Sequence, residues 1–148
     1  RQIFLAWAGS DLMSAPLHRI QLVKGWIDGA GVTRERVQDV ACSDGLKVDP
    51  STRRCPDNGA NVDLANCATL GGTGAEQLAV AFRDPDYDPS QSAFYYIRVL
   101  QNPTCRWSTY DALRIGQAPP EHVPATIRER AWSSPIWVRP AGGGGALR

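Results

Sequence analysis

The chain has 148 residues, 43% hydrophobic and 21% charged, with a formal net charge of +1. Those values are globular and exclude wholesale disorder, and a near-neutral charge with scattered arginines excludes a nucleic-acid backbone as the main partner. No apolar run approaches the roughly 20 residues of a membrane-spanning helix, and the length suits one domain with an ordinary core.

The first segment, Arg1-Gln2-Ile3-Phe4-Leu5-Ala6-Trp7-Ala8, is too short for a signal peptide and lacks a cleavage region. It reads as a strand with Ile3, Leu5 and Trp7 on one face. Opening inside a strand without an initiator Met, the chain looks like a fragment or a processed product. Leu17 to Ile27 is apolar at both two- and three-residue spacings. Gly25 within it and Asp28-Gly29-Ala30-Gly31 after it favour a strand leading into a tight connection. Thr33 to Ala41 then reads as the returning strand.

Residues 43–76 are rich in Asp, Asn, Gly, Pro and Thr and form an irregular loop. Gln77 to Phe82 alternates weakly and fits strand or helix. Ala93 to Leu100 is the clearest strand: β-branched, aromatic and almost continuously apolar, it is expected to be central with both faces covered. Ser108-Thr109-Tyr110-Asp111 resembles a helix start, with Gly116 as its stop. A proline-rich linker spans Gln117 to Pro124. Arg128 to Trp132 and Ile136 to Val138 read as one last strand interrupted at Pro135, an edge or bulge signal. The expected architecture is mainly β: a β-sandwich-like domain over residues 1–140 with one short helix and a long disulfide-braced loop, and a flexible Gly-rich tail at 141–148.

Cys42, Cys55, Cys67 and Cys105 form no C-x-x-C pair, which argues against a zinc knuckle. Neither His18 nor His122 carries a signature that would pair it with a catalytic thiol, and both are expected at the surface or in turns. Two structural disulfides in an oxidising compartment, periplasmic or secreted, are the better reading. Three connectivities are open. Cys42–Cys55 with Cys67–Cys105 is favoured because each pair brackets a segment lacking regular structure, and closing a loop of some fifteen residues contributes about 3 kcal/mol.

Two stretches could gather oxygen ligands. Asp84-Pro85-Asp86-Tyr87-Asp88-Pro89 alternates carboxylates as a weak calcium candidate, although its prolines equally make a rigid turn. Asp57 to Asp63 is similarly oxygen-rich but lacks the closing Glu of an EF-hand loop. Arg106-Trp107 and Arg128-x-Arg130-x-Trp132, with Trp26 and Trp137, join guanidinium and aromatic groups suited to a sugar or an anion, or simply to packing. No phosphate loop, G-x-S-x-G or H-E-x-x-H occurs, so no catalytic residue is assigned.

Three ordered stretches carry a resemblance: Ser14 to Trp26; Asp84 through Ala93–Leu100 to Ala112, including Thr104-Cys105-Arg106-Trp107; and Pro124 to Trp137. Together they resemble the C-terminal region of a large bacterial family catalogued as a domain of unknown function, number three-six-zero-four. The resemblance implies a parent several times longer, whose N-terminal part is similar to the PHP (polymerase and histidinol phosphatase) superfamily of metal-dependent phosphoesterases. Its His-x-His-type motifs do not occur in this chain, so no metal ligand carries over and no cofactor is expected here. The divalent metal is expected in the N-terminal part, which becomes the expected partner. Some members carry proline at the Cys105 position and lack the other cysteines, which implies a disulfide-bearing branch. The leading expectation is an accessory β-sandwich that packs against a catalytic barrel, with Arg106, Trp107, Arg128, Arg130 and Trp132 on the shared surface. The rival is a free-standing extracellular module binding carbohydrate or another ligand.

Overall fold

The computed structural model describes residues 2–140; the glycine-rich tail at 141–148 lies outside them. The described residues are mainly β, and every strand pairing is antiparallel. Strands β1 (Phe4–Gly9), β2 (Leu17–Ile27) and β3 (Thr33–Cys42) come first. Two short strands, β4 (Asn61–Asp63) and β5 (Ala68–Leu70), then form a hairpin inside the irregular segment. β6 (Gln77–Phe82) and β7 (Ala93–Gln101) follow, then β8 (Thr104–Cys105), helix α1 (Trp107–Arg114), β9 (Thr126–Ile127), β10 (Arg130–Trp132) and β11 (Ile136–Val138).

The large sheet runs β10-β7-β2-β3, with β11 continuing along β7 beside β10. The last strand is indeed interrupted: its halves pair with opposite ends of β7, and Ser133 Oγ bridges the gap by accepting the Ile97 N–H at 3.1 Å. The β1–β6 ribbon lies across one face of this sheet. Period-two alternation decides what meets what. Phe4, Ala6 and Ala8 of β1 and Leu78 and Phe82 of β6 turn inward onto Ile20, Leu22, Tyr95 and Ile97. Ile3, Leu5 and Trp7 do share a face, but it is the solvent face, 51%, 83% and 66% exposed. The register explains this: small Ala79 and Ala81 lie opposite Trp7 and Leu5, whereas Phe82 and Leu78 lie opposite Phe4 and Ala8.

β7 is central in pairing, yet only one of its faces is fully covered. Ala93 and Tyr95 are buried on the ribbon side, while Phe94, Tyr96 and Arg98 remain half-buried on the other. At Gly25 the Phe94 ring packs against the backbone, where a Cβ would overlap it, so a glycine is required in this strand by close approach. The expected cap, Ser108, lies inside the helix: the N-cap position is two residues earlier, at Arg106, with no side-chain cap. Thr109 instead donates to the Ala125 carbonyl at 2.7 Å, tying the helix to the segment before β9.

Both disulfides follow the favoured pairing, Cys42–Cys55 and Cys67–Cys105. The first returns the loop onto the end of β3, where Asp39 N–H also bonds the Arg53 carbonyl. The second joins the β4–β5 hairpin to β8, and both its cysteines are buried with Val62 against Leu113. No cysteine is free, so none serves as zinc ligand or nucleophile in this oxidised state.

Candidate functional site

The five residues marked for a shared surface separate into three places. Arg130 and Trp132 belong to β10 and project from the side of the sheet away from the ribbon, opposite Leu100 and Arg98. The β10 edge, residues 129–133, also borders a cleft of about 590 Å³ beside Trp7, Asp11 and Gln101. Arg106 and Trp107 start α1. Trp107 is 75% exposed, while Arg106 donates its backbone N–H to Ala125 and keeps a buried Nε without a partner. Arg128 lies in the link between β9 and β10, and its positive charge disfavours the protonated forms of His18 and Arg19.

His18 corrects a sequence expectation. It is no surface residue but 3% exposed, because β2 is covered on both faces and its first turn is closed by the Ser43 N–H bonding the His18 carbonyl. Burial, then Arg19 and Arg128, push its pKa from 6.5 down to about 4, so the ring is neutral at pH 7. Arg19 Nη1 stands 2.6 Å from His18 Nδ1. Arg19 also approaches Asp39, which is held by Gln21 Nε2 and by the Cys55 N–H, each at 2.7 Å. Arg98 donates to Gln21 at 2.7 Å on the same face. His122 is exposed, as expected.

The alternating carboxylates are each engaged by other groups. Asp84 is buried and accepts from Lys24 Nζ at 2.7 Å, Tyr95 Oη at 2.9 Å and Asp86 N–H at 3.0 Å. Burial pushes its carboxyl up, but these donors outweigh that and hold it below the usual range. The same burial, together with Asp84, pushes the Tyr95 hydroxyl well above its ordinary value. Lys24 also bonds the Asp86 carbonyl and lies over the Trp26 and Tyr95 rings. Asp86 pairs with Arg36 and Arg53, and Asp88 accepts from Ser90. Among the described residues, no three His, Cys, Asp or Glu side chains come together in a metal-holding arrangement.

Sequence reasoning named Trp26, Trp132 and Trp137 but missed Phe94 and Tyr96, which complete an aromatic surface beside Trp132 and Trp137. Phe94 and Tyr96 lie nearly parallel, 8° apart with centroids separated by 6.3 Å, and Trp137 abuts Phe94 at 5.3 Å. Next to them, Trp26, Arg34, Glu35 and Arg139 help enclose a groove of about 640 Å³. The signal was present: Phe94, Tyr96 and Arg98 occupy alternate positions, and continuing that face across the sheet reaches Trp132 and Trp137. An apolar run read as doubly covered conceals such a face.

These features define a mainly β, disulfide-braced, two-layer domain whose outer surfaces carry uncovered aromatic and guanidinium groups. A family model described as Protein of unknown function (DUF3604) matches residues 1–140, and the chain belongs to that family. The comparisons with curated proteins and with solved structures give no significant match.

Proposed function

We propose that this chain is the accessory C-terminal β-sandwich of a larger PHP-like metal-dependent hydrolase, with phosphoester-type chemistry carried by an N-terminal catalytic part. The observation that carries the reading is the solvent face of the β1–β6 ribbon. Leu5 and Trp7 stand exposed over Ala79 and Ala81, and Leu12 and Met13 beyond the strand end are 85% and 94% exposed. A contiguous apolar face of this kind marks a surface that another part of a protein covers. The β10 edge, which borders the same cleft as Trp7, would then wall the substrate opening, with Arg130 and Trp132 on its outer side. The divalent metal would be held by the catalytic part. Two disulfides support a periplasmic or secreted setting.

The test is the upstream reading frame and the protein it encodes. His- and Asp-rich metal motifs should precede this domain. Hydrogen exchange on the longer protein should protect the amides flanking Leu5 and Trp7 relative to the isolated domain. An upstream frame without such motifs ends the hydrolase reading.

A second reading, a free-standing module binding carbohydrate, is favoured by the Phe94–Tyr96–Trp132–Trp137 surface, because sugar rings stack on exposed aromatic faces beside polar groups. It predicts that the isolated oxidised domain binds a glycan and that Trp137→Ala abolishes binding. A flat response across a glycan panel counts against it.

A further inference from the structure

The two layers of the domain differ in width. The large sheet sets β10, β7, β2 and β3 side by side, whereas the ribbon facing it has only β1 and β6. β6 lies over β2 and β3, and β1 reaches β7, where Phe4 packs on Tyr95 with ring centroids 4.5 Å apart. Beyond β1 the ribbon side of the large sheet is bare. Ile97 and Val99 of β7 are only half-buried there, and Glu129, Ala131 and Ser133, on that side of the β10 edge, are exposed. The cleft of about 590 Å³ occupies this gap, with Trp7, Ala8 and Gly9 along one wall and Leu17, Ile97 and Val99 as an apolar floor.

That wall is a free strand edge. Ser10 donates its N–H to the Glu76 carbonyl at 2.8 Å. The alternation of an antiparallel pair then puts Ala8, Ala6 and Phe4 in the positions bonded to β6, and turns the N–H and C=O of Leu5, Trp7 and Gly9 away from it. β1 has no second partner strand, and among the described residues no loop or side chain meets these groups. An edge of this kind accepts an extended peptide. A strand at the usual ~4.8 Å from β1 would lie in the cleft, and its alternate side chains would cover Ile97, Val99 and Ala131. The charge there has one sign. Asp11 and Glu129 border the cleft, neither is in an ion pair among the described residues, and Arg130 projects to the outer side. A second copy paired antiparallel through β1 does not fit, since its large sheet overhangs its own β1 in the same way and would meet β10 first.

We propose that the free edge of β1 takes up an extended segment of a partner polypeptide, alternately apolar and with a basic end, which becomes the third strand of the ribbon and closes the cleft. The site uses the backbone edge of β1 and not the outward face of Leu5 and Trp7, so it stands whether or not that face meets a catalytic part.

The experiment adds a capped peptide, acetyl-Lys-Val-Thr-Val-Thr-Val-Thr-Lys-amide, to the oxidised, ¹⁵N-labelled chain at pH 7 and follows amide hydrogen exchange by NMR. Lysine at both ends presents a base to Asp11 and Glu129 in either strand direction. Without peptide, the amides of Leu5, Trp7 and Gly9 should exchange freely while those of Ala6 and Ala8 are protected. Saturating peptide should protect Trp7 and Gly9 as well. Gly9→Pro deletes one outward donor, whereas Gly9→Ala keeps it, the added Cβ meeting only the Trp7 ring at 3.8 Å. The proline variant should bind about tenfold more weakly than the alanine one. A peptide with Glu in place of both lysines should bind at least about threefold more weakly than the parent peptide. Absence of saturable protection at Trp7 and Gly9 overturns the proposal, as does equal affinity of the two Gly9 variants or of the two peptides. So does a chain that dimerises through these amides without peptide, which makes a second copy the occupant. Should Gly9→Pro lose its native spectrum, Ala131→Lys decides: it sets a charge on the exposed side of the cleft, and an affinity that it leaves unchanged overturns the proposal.

Discussion

At the two ends of β2, charged side chains are drawn out of water, and their surroundings are completed differently. Toward Trp26, Lys24 and Asp84 are both buried, and the pair is closed by the Tyr95 hydroxyl, the Asp86 N–H and the Asp86 carbonyl. Toward Leu17, His18, Arg19 and Arg128 each keep a buried donor with no acceptor. Satisfied buried charge is a structural element, costly to disturb. Unsatisfied buried donors leave part of their desolvation cost unrecovered. The two ends of the strand therefore differ in hydrogen-bond completion rather than in burial.

The sharpest break in that comparison is Asp84→Asn, which strands Lys24 at 5% side-chain exposure. Removing one partner of a buried pair costs about 3–5 kcal/mol, so urea unfolding should move by that amount. Lys24→Met combined with Asp84→Leu should recover part of the loss, because no uncompensated charge remains, although the Tyr95 hydroxyl is orphaned. An Asp84→Asn variant within about 1 kcal/mol of the parent would contradict the structural role.

Next in size come the disulfides, which separate the two ends by what they tie down. In the chain-entropy account, the Cys67–Cys105 loop, with a sequence separation of 38, contributes about 4 kcal/mol, and Cys42–Cys55, with a separation of 13, about 3. Paired Cys→Ser variants, unfolded in urea, should keep that order. Loss of Cys42–Cys55 should also disturb the His18 ring signals, since that bridge holds the backbone beside Arg19. Loss of Cys67–Cys105 should leave them in place.

Acid titration distinguishes the ends by sign and window. The unfolded His18 takes up its proton near pH 6.5, whereas the folded ring does so near 4. Between those values the unfolded chain binds more protons, so stability falls as pH drops, by no more than about 3 kcal/mol, and levels off below 4. The depressed Asp84 carboxyl acts in the same direction but lower, its contribution present above the ordinary aspartate range and lost as pH falls through its folded pKa. His18→Gln should flatten only the upper segment of the thermal-stability profile.

How much of this could be read in the sequence depends on which neighbours a residue meets. The strands from Leu17, Thr33 and Ala93, the break at Pro135 and both disulfide pairings were legible, because periodicity and loop bracketing are local or nearly so. The outward turn of Ile3, Leu5 and Trp7 was not, since only the β1–β6 register sets which face meets the large sheet. His18 looked like a turn residue for the same reason: its burial comes from β7 and the Ser43 turn, both distant in sequence. The grouping of Arg106, Trp107, Arg128, Arg130 and Trp132 combined neighbours in sequence that the fold distributes over the helix start, the β9–β10 link and the outer side of β10.

The smallest expected effect lies two residues from the largest. Asp86 shares the alternating motif with Asp84, but its side chain is 46% exposed and its partners Arg36 and Arg53 are 30% and 41% exposed. Asp86→Asn should cost at most about 1 kcal/mol, falling further in high salt. Calcium tests whether the motif has a second use. A site in hundredfold excess of calcium over its Kd would gain about 2.7 kcal/mol, several degrees in Tm for a chain of this size. Because Lys24 and Arg36 already occupy Asp84 and Asp86, calcium and EDTA should give the same Tm. A calcium-dependent rise that Asp86→Asn abolishes would mean that these carboxylates leave their cationic partners for a metal, and the contrast between Asp84 as scaffold and Asp86 as surface charge would have to be redrawn.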